Sequence, residues 1–210
     1  MPLYRPISFK ENTALGLWNI EEDYDDLFDK VQYHGFDVSI ISPYKSELKR
    51  IQWLAARILL HELQPNIKKI YYHQSGAPYL ENGTFISMSH SHKMVAVQLD
   101  KLDETGVDIQ YFSQKIMNIK EKFASKFELN FLNKHQALDQ LRIIWSAKEA
   151  IYKKMKIEGL IFNKEIEIAP FDYGQKGWLE ASVNHKSIHT KLNLKYEILG
   201  DYTLVYTSIP

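Results

Sequence analysis

Trp145-Ser146-Ala147-Lys148-Glu149-Ala150-Ile151-Tyr152-Lys153 is the stretch on which the reading of this chain turns. It closes a long helical pattern that runs from about Lys134 to Met155. At about 100° per residue, Leu138, Leu141 and Tyr152 fall within about 40° of Trp145 and form an apolar stripe. Glu149 and Lys153 fall at about +40° and +80° on the same wheel, and Lys148 at about −60°. A helix that only packs keeps its charges on the far face. Here they flank the stripe, and a break of pattern of this kind marks a candidate site. Two plainer readings share the spacing. Glu149 and Lys153 form an i,i+4 pair in the favoured order, and Lys148 can snorkel out of the stripe.

Upstream, Gly106-Val107-Asp108-Ile109-Gln110 reads as a largely buried strand. Val107 and Ile109 point to one face, Asp108 and Gln110 to the other. A buried carboxylate needs a cation, a metal or several donors. A core salt bridge or a turn cap would satisfy Asp108 as well. Between strand and helix, Ser113 to Phe131 is amphipathic and basic. It sets Lys115, Lys120, Lys122 and Lys126 against Glu121 and Glu128, with Phe123, Phe127 and Phe131 four apart. After Gly159 the pattern alternates. Glu165 to Ala169, Trp178 to Val183, Leu192 to Leu199 and Tyr202 to Ile209 read as antiparallel strands.

The first half begins with a strand at Thr13 to Ile20, then a short helix in the acidic cluster Glu21 to Asp29. A stronger helix spans Ser46 to Leu63, with Ser46 able to cap it. Ile51, Leu54, Ala55, Ile58 and Leu59 give its core stripe, and Arg57 lies at the edge, where the pattern alone reads as a solvated arginine. Ile70 to His73 is a short strand, Gly76-Ala77-Pro78-Tyr79 a turn, and Phe85 to Ser89 and Met94 to Leu99 are strands. Ser89-His90-Ser91-His92 between them reads as a polar turn, either an anion site or a surface loop. Helix followed by strands occurs in each half. The expected fold class is therefore α+β with a duplicated unit, residues 1–105 and 106–210.

Composition narrows the function. The chain has 210 residues and no cysteine, which excludes disulfides and thiolate metal sites. Its eight histidines show no HExxH spacing. GxxxxGK[ST] and GxGxxG are absent, which argues against a generic nucleotide-binding fold. No apolar run has membrane-spanning length, and Met1 to Lys10 lacks the basic region and apolar core of a leader. A cytoplasmic protein without a membrane partner is expected. The net charge is zero, so no global field draws in nucleic acid. Residues 1–105 carry 11 basic and 14 acidic side chains, net −3, and residues 106–210 carry 15 and 12, net +3. The second half is the better place for an acidic or phosphorylated ligand.

Four pieces in order resemble the 4′-phosphopantetheinyl transferase superfamily. Gly106-Val107-Asp108-Ile109-Gln110 is similar to its GVDxE pattern except at the last position. Trp145 to Lys153 matches W-x-x-K-E-A-x-x-K in full. Ser89-His90-Ser91 matches its SHS element, and Gly76-Ala77-Pro78-Tyr79 resembles its G-K-P-x turn. The length fits the larger, single-chain class similar to activators of surfactin-type synthetases, with two pseudo-repeats and the active site between them. The resemblance implies transfer of 4′-phosphopantetheine from coenzyme A to a serine of an apo acyl or peptidyl carrier protein. Mg²⁺ would be the cofactor, adenosine 3′,5′-bisphosphate the leaving product, and a monomer the working form. It implies Asp108, Glu149 and Gln110 as metal ligands, Glu149 as base, and Lys153 as the group that stabilises the transferring phosphate or protonates the leaving group. Trp145 would pack behind the site. Arg57, Pro78, Ser89, His90 and Lys148 would contact coenzyme A. There are two departures: Ala77 stands where the family has a lysine, and Gln110 where it has a glutamate. They support an alternative, a non-catalytic relative that binds coenzyme A or a carrier.

Overall fold

The structure, a computed structural model, describes residues 12–207 in full and the backbone of residues 3–9. It divides into two compact units, Met1–Thr105 and Gly106–Pro210.

In the first unit, β1 (Leu3–Phe9), β2 (Thr13–Asn19), β5 (Phe85–Ser91) and β6 (Met94–Asp100) form an antiparallel sheet of order β1-β2-β6-β5. β1 was not read from the sequence. β3 (Tyr71–Tyr72) and β4 (Pro78–Tyr79) make a separate short hairpin. The acidic cluster both caps and opens its helix. Asp23 accepts from the Asp26 amide, and α1 runs Tyr24–Tyr33, burying Leu27 and Val31. Ser46 caps α2 (Glu47–Leu63) by accepting from the Lys49 amide. Leu54, Ala55, Ile58 and Leu59 are buried beneath α2. Gly16 on β2 lets α2 settle on the sheet, because a Cβ there would lie 2.6 Å from Leu59 Cδ1.

The second unit is a five-stranded antiparallel sheet with a long helix on it. β7 (Val107–Tyr111), β8 (Ile166–Ile168), β9 (Lys176–His185), β10 (Ile188–Leu199) and β11 (Tyr202–Thr207) follow the order β7-β11-β10-β9-β8. The sequence-predicted end of the last strand, Ser208 and Ile209, lies outside the described residues, as do Met1, Pro2 and Lys10 of the segment read for a leader. The basic segment is two helices, α3 (Ile116–Phe123) and α4 (Lys126–Phe131), broken at extended Ala124. α5 spans Ala137–Met155, and a single turn, α6 (Phe162–Glu165), precedes β8. No described helix is long and apolar enough to cross a membrane.

The buried face of α5 is rotated from the sequence-predicted stripe. Ile143, Ile144, Ala147, Ala150 and Ile151 are fully buried, whereas Tyr152 is 39% exposed and Trp145 half-buried. Small Ala147 and Ala150 bring the helix backbone close to the sheet, which a search for large apolar residues overlooks. Glu149 and Lys153 therefore stand at the border of the core, and Lys148 lies inside it.

Candidate active site

Asp108 is the second residue of β7, the edge strand over which α5 packs. Gly106 sets the approach. A Cβ at that position would lie 1.9 Å from the Ala150 carbonyl oxygen, so only a residue without one permits this contact. The residues flanking Ala150 on α5 are thereby held beside β7. Lys153 Nζ donates to Asp108 Oδ1 at 2.8 Å and to the Val107 carbonyl at 2.9 Å. The Asp108 side chain is 7% exposed and that of Lys153 26%. Glu149 is half-buried. Burial, and then the negative charge of Asp108, push its carboxyl above the usual carboxylate range, and Lys153 opposes the shift. Gln110 is half-buried two residues beyond Asp108, on the same side of β7.

Asp108, Glu149 and the Gln110 amide are all hard oxygen donors, the type that a small divalent cation such as Mg²⁺ accepts. Among the described residues, no group of three or more His, Asp or Glu side chains is placed to hold a metal. A metal at Asp108 and Glu149 would thus rest on two carboxylates, with an amide or water for the rest. The donor set fits that ion.

The expected coenzyme A contacts on the first unit are held differently from one another. Arg57, read from pattern as solvated, is 4% exposed. Its guanidinium stacks 3.6 Å from the centroid of Trp53, donates to the Trp53 carbonyl at 3.3 Å and to Tyr72 Oη at 2.7 Å. Burial lowers its pKa from the ordinary arginine value. Pro78 pairs with Tyr72 in the β3–β4 hairpin and is half-buried. The Ala77 carbonyl accepts from the His73 amide at 2.9 Å. Ser89 and His90 lie within β5 rather than in a turn, Ser89 buried and His90 exposed. The turn itself is His92-Lys93, with His92 at φ 51°. The strand alternation, extending through Ser91, wins over the polar composition.

The profile of the 4′-phosphopantetheinyl transferase superfamily matches residues 104–206. That stretch contains the whole cluster of Asp108, Gln110, Glu149 and Lys153. The second unit is a domain of the 4′-phosphopantetheinyl transferase superfamily. Two curated relatives agree. A protein named 4′-phosphopantetheinyl transferase AcpT from Escherichia coli O157:H7 is 31% identical over 114 residues, 50% of this chain and 58% of the relative. The protein of the same name from Salmonella typhi is 26% identical over 123 residues, 55% of this chain and 64% of the relative. The matched stretches thus span less than two thirds of each relative's own length. Arg57, Pro78, Ser89 and His90 lie outside the family match.

Within the superfamily domain, Lys148 departs from the phosphate contact that the resemblance implies. Its side chain is 0% exposed. Nζ donates to Glu128 Oε2 at 2.6 Å and to the carbonyls of Phe123, Phe162 and Ile166 at 2.8, 2.9 and 2.8 Å. An ammonium has three protons, and all are committed here. Its pKa is lowered, first by burial, with Glu128 opposing. Trp145 wedges between Phe123 and Phe162, with ring centroids 5.1 and 6.1 Å away. Phe123 is 1% exposed and belongs to the core, whereas Phe127 is 47% exposed.

Sequence reading missed Glu128 and Tyr72. Glu128 carried a legible signal. Ser125-x-x-Glu128 is a capping box, in which the Glu128 amide donates to Ser125 Oγ at 3.1 Å and the Ser125 amide to Glu128 Oε2 at 2.7 Å. Arg57 also carried one, since Trp53 stands four residues before it on the same helix face. Tyr72 carried none.

Proposed function

We propose that this chain is an enzyme that transfers 4′-phosphopantetheine from coenzyme A to a serine hydroxyl of an apo acyl or peptidyl carrier protein. The observation that carries the reading is the convergence of Asp108, Glu149 and Lys153 inside a domain of this superfamily. The serine Oγ–P bond forms at the phosphorus next to pantetheine while the pyrophosphate P–O bond breaks. Adenosine 3′,5′-bisphosphate leaves, and the serine proton passes to Glu149, directly or through water. A carboxyl already raised by burial and by Asp108 suits this task better than an exposed one. Lys153, anchored at Val107 and Asp108, presents positive charge to the phosphate that gains charge as the bond breaks.

Asp108 and Glu149, with Gln110 or a water, would hold Mg²⁺, which when bound neutralises pyrophosphate charge. On the first unit, Arg57, Ser89, His90 and Pro78 would meet the nucleotide end of coenzyme A. A buried guanidinium already fixed by Trp53 and Tyr72 is pre-ordered for a phosphate. The proposal includes two pseudo-repeats, residues 1–105 and 106–210. It also includes the larger single-chain class, a monomer working in the cytoplasm, and no nucleic-acid or membrane partner.

The exposed side of α3 and α4, with Lys115, Lys122, Lys126 and Phe127, would receive the carrier. Phe123 is buried in the core and takes no part in that surface. The test is to incubate the protein with Mg²⁺, coenzyme A and an apo carrier and then weigh the carrier. A gain of one phosphopantetheine mass, lost in Asp108→Ala, supports transfer. An unchanged mass with coenzyme A bound supports the non-catalytic relative.

A further inference from the structure

We infer that Lys148 and Glu128 form an internal clamp that holds the Ile116–Phe131 segment on the helix bearing Glu149 and Lys153, which makes Lys148 a positioning residue. The clamp stands on its own geometry, and its effect on catalysis rests on the transfer reading above.

Both side chains are 0% exposed. The Lys148 ammonium reaches four acceptors on four pieces of chain: the end of α3 at Phe123, Glu128 on α4, Phe162 at the start of α6, and Ile166 at the start of β8. Glu128 adds a fifth tie, because its Oε1 accepts from the Ile168 amide at 2.8 Å. Its Oε2 also accepts from the Ser125 amide at the break between α3 and α4. A buried charge is tolerated only when its partner is in place, so either member alone is a stranded ion. The clamp therefore opens as a whole.

Its position in the chain gives it consequence. Lys148 immediately precedes Glu149. Seating Lys148 in the core fixes the rotation of α5 that leaves Glu149 at the core border, within the electrostatic reach of Asp108. On the other side of the clamp, Lys115, Lys122 and Lys126 are exposed on α3, α4 and their approach. The clamp thus lies under the surface proposed to receive the carrier. A lysine meant for a phosphate needs an open tip and spare protons. Lys148 has neither.

The test uses Lys148→Met and the double variant Lys148→Met with Glu128→Gln, which leaves no stranded ion and stands in if the single variant fails to fold. Amide exchange is followed by mass spectrometry over 116–131 and 162–168, coenzyme A affinity by calorimetry, and carrier KM against kcat well below the melting temperature. The clamp predicts exchange faster by about tenfold in both segments, coenzyme A affinity within about twofold of the parent, and a raised carrier KM. Unchanged exchange in both segments overturns the clamp. Coenzyme A affinity reduced tenfold with exchange unchanged shows instead that Lys148 reaches the ligand. Faster exchange with carrier KM and kcat both unchanged reduces Lys148 to a structural residue and overturns the positioning role. If the parent protein transfers nothing, the functional reading fails, and the exchange measurement still decides the clamp.

Discussion

Lys153 holds Asp108 both directly and through its neighbour: its Nζ lies 2.8 Å from the Asp108 carboxylate and 2.9 Å from the carbonyl of the preceding residue, Val107. One ammonium thus ties the strand that bears one carboxylate to the helix that bears the other. Removing either partner should be costly, and removing both should be less than additive, because each acts through the other. Asp108→Ala is expected to lower transfer by ~10² or more, and Lys153→Met by a similar factor. The check is a double-mutant cycle on single-turnover rates. Strict additivity would show that the pair does not work as a unit.

Gly106→Ala should disable the site without changing any of its polar side chains. The added methyl meets the Ala150 carbonyl at 1.9 Å, and backbone cannot swing aside as a side-chain tip can. Overpacking of this kind costs about 1–3 kcal/mol, and α5 must lift from β7 to relieve it. We expect a lower melting temperature together with a reduced kcat, measured on the same preparation. Parent-like values for both would contradict the close approach.

Gln110→Glu should lower the Mg²⁺ concentration that gives half-maximal rate. Gln110 and Asp108 share one side of β7, so a carboxylate at 110 adds a negative ligand to the same cation. Metal titration of both forms at saturating coenzyme A reads this directly. Coincident curves would remove Gln110 from the metal's surroundings.

Reversing Lys122 and Lys126 to glutamate should raise the carrier KM at low salt and leave coenzyme A affinity unchanged. Exposed rim charges act mainly through association rate and are screened by salt. A carrier KM that does not move at low salt would place the docking face elsewhere.

A pH effect is expected on the first unit. The rings of His34 and His61 stack with centroids 3.8 Å apart, and Lys68 Nζ lies 3.5 Å from His61 Nδ1. Burial, then His34 and Lys68, lower the His61 pKa, with Glu62 opposing. The unfolded chain takes up that proton near the ordinary value of about 6.5, whereas the fold resists it. The stability contribution is therefore present above that pH and is lost as pH falls through it towards the folded value. His61→Phe keeps a ring on His34 and removes the proton. Its melting temperature should fall less than that of the parent between neutral pH and mildly acidic pH. Parallel curves would exclude His61 as the source.

Local signals were legible where one residue answers to its chain neighbours. Ser46 announced the start of α2, and the alternation of Val107, Asp108, Ile109 and Gln110 announced β7. Asp108, Glu149 and Lys153 were legible as a set only through the family pattern, and their contact required β7 and α5 to be packed. The surroundings of Lys148 were not legible, because its partners come from Phe123, Glu128, Phe162 and Ile166, positions that no helical wheel of α5 contains. The stripe of α5 was misplaced for a related reason. Trp145 and Tyr152 dominate by size, but closeness of packing is set by Ala147 and Ala150. Beyond the expected strand end at Ser89, composition reads His90 as a turn, whereas pairing with Val95 keeps it in the strand.

The pairing of β7 has a bearing on how the protein is made. In the sheet order, the strand that carries Asp108 is first in sequence within its unit and lies beside the last, β11. Gly106 and Thr207, 101 residues apart, are joined twice: the Gly106 amide donates to Thr207 Oγ1 at 2.9 Å, and the Thr207 amide to the Gly106 carbonyl at 2.8 Å. A ribosome-bound chain has therefore synthesised α3, α4, α5 and the β8–β10 meander before Asp108 has a neighbouring strand in its sheet. Contacts this distant in sequence form late and slow the folding of the unit that holds them. Until Tyr202–Thr207 emerge, a nascent chain contains both carboxylates and the lysine but lacks the β11 pairing that seats Asp108. The ability to act on a ligand should thus appear in one step, once Tyr202–Thr207 have emerged, rather than grow with chain length.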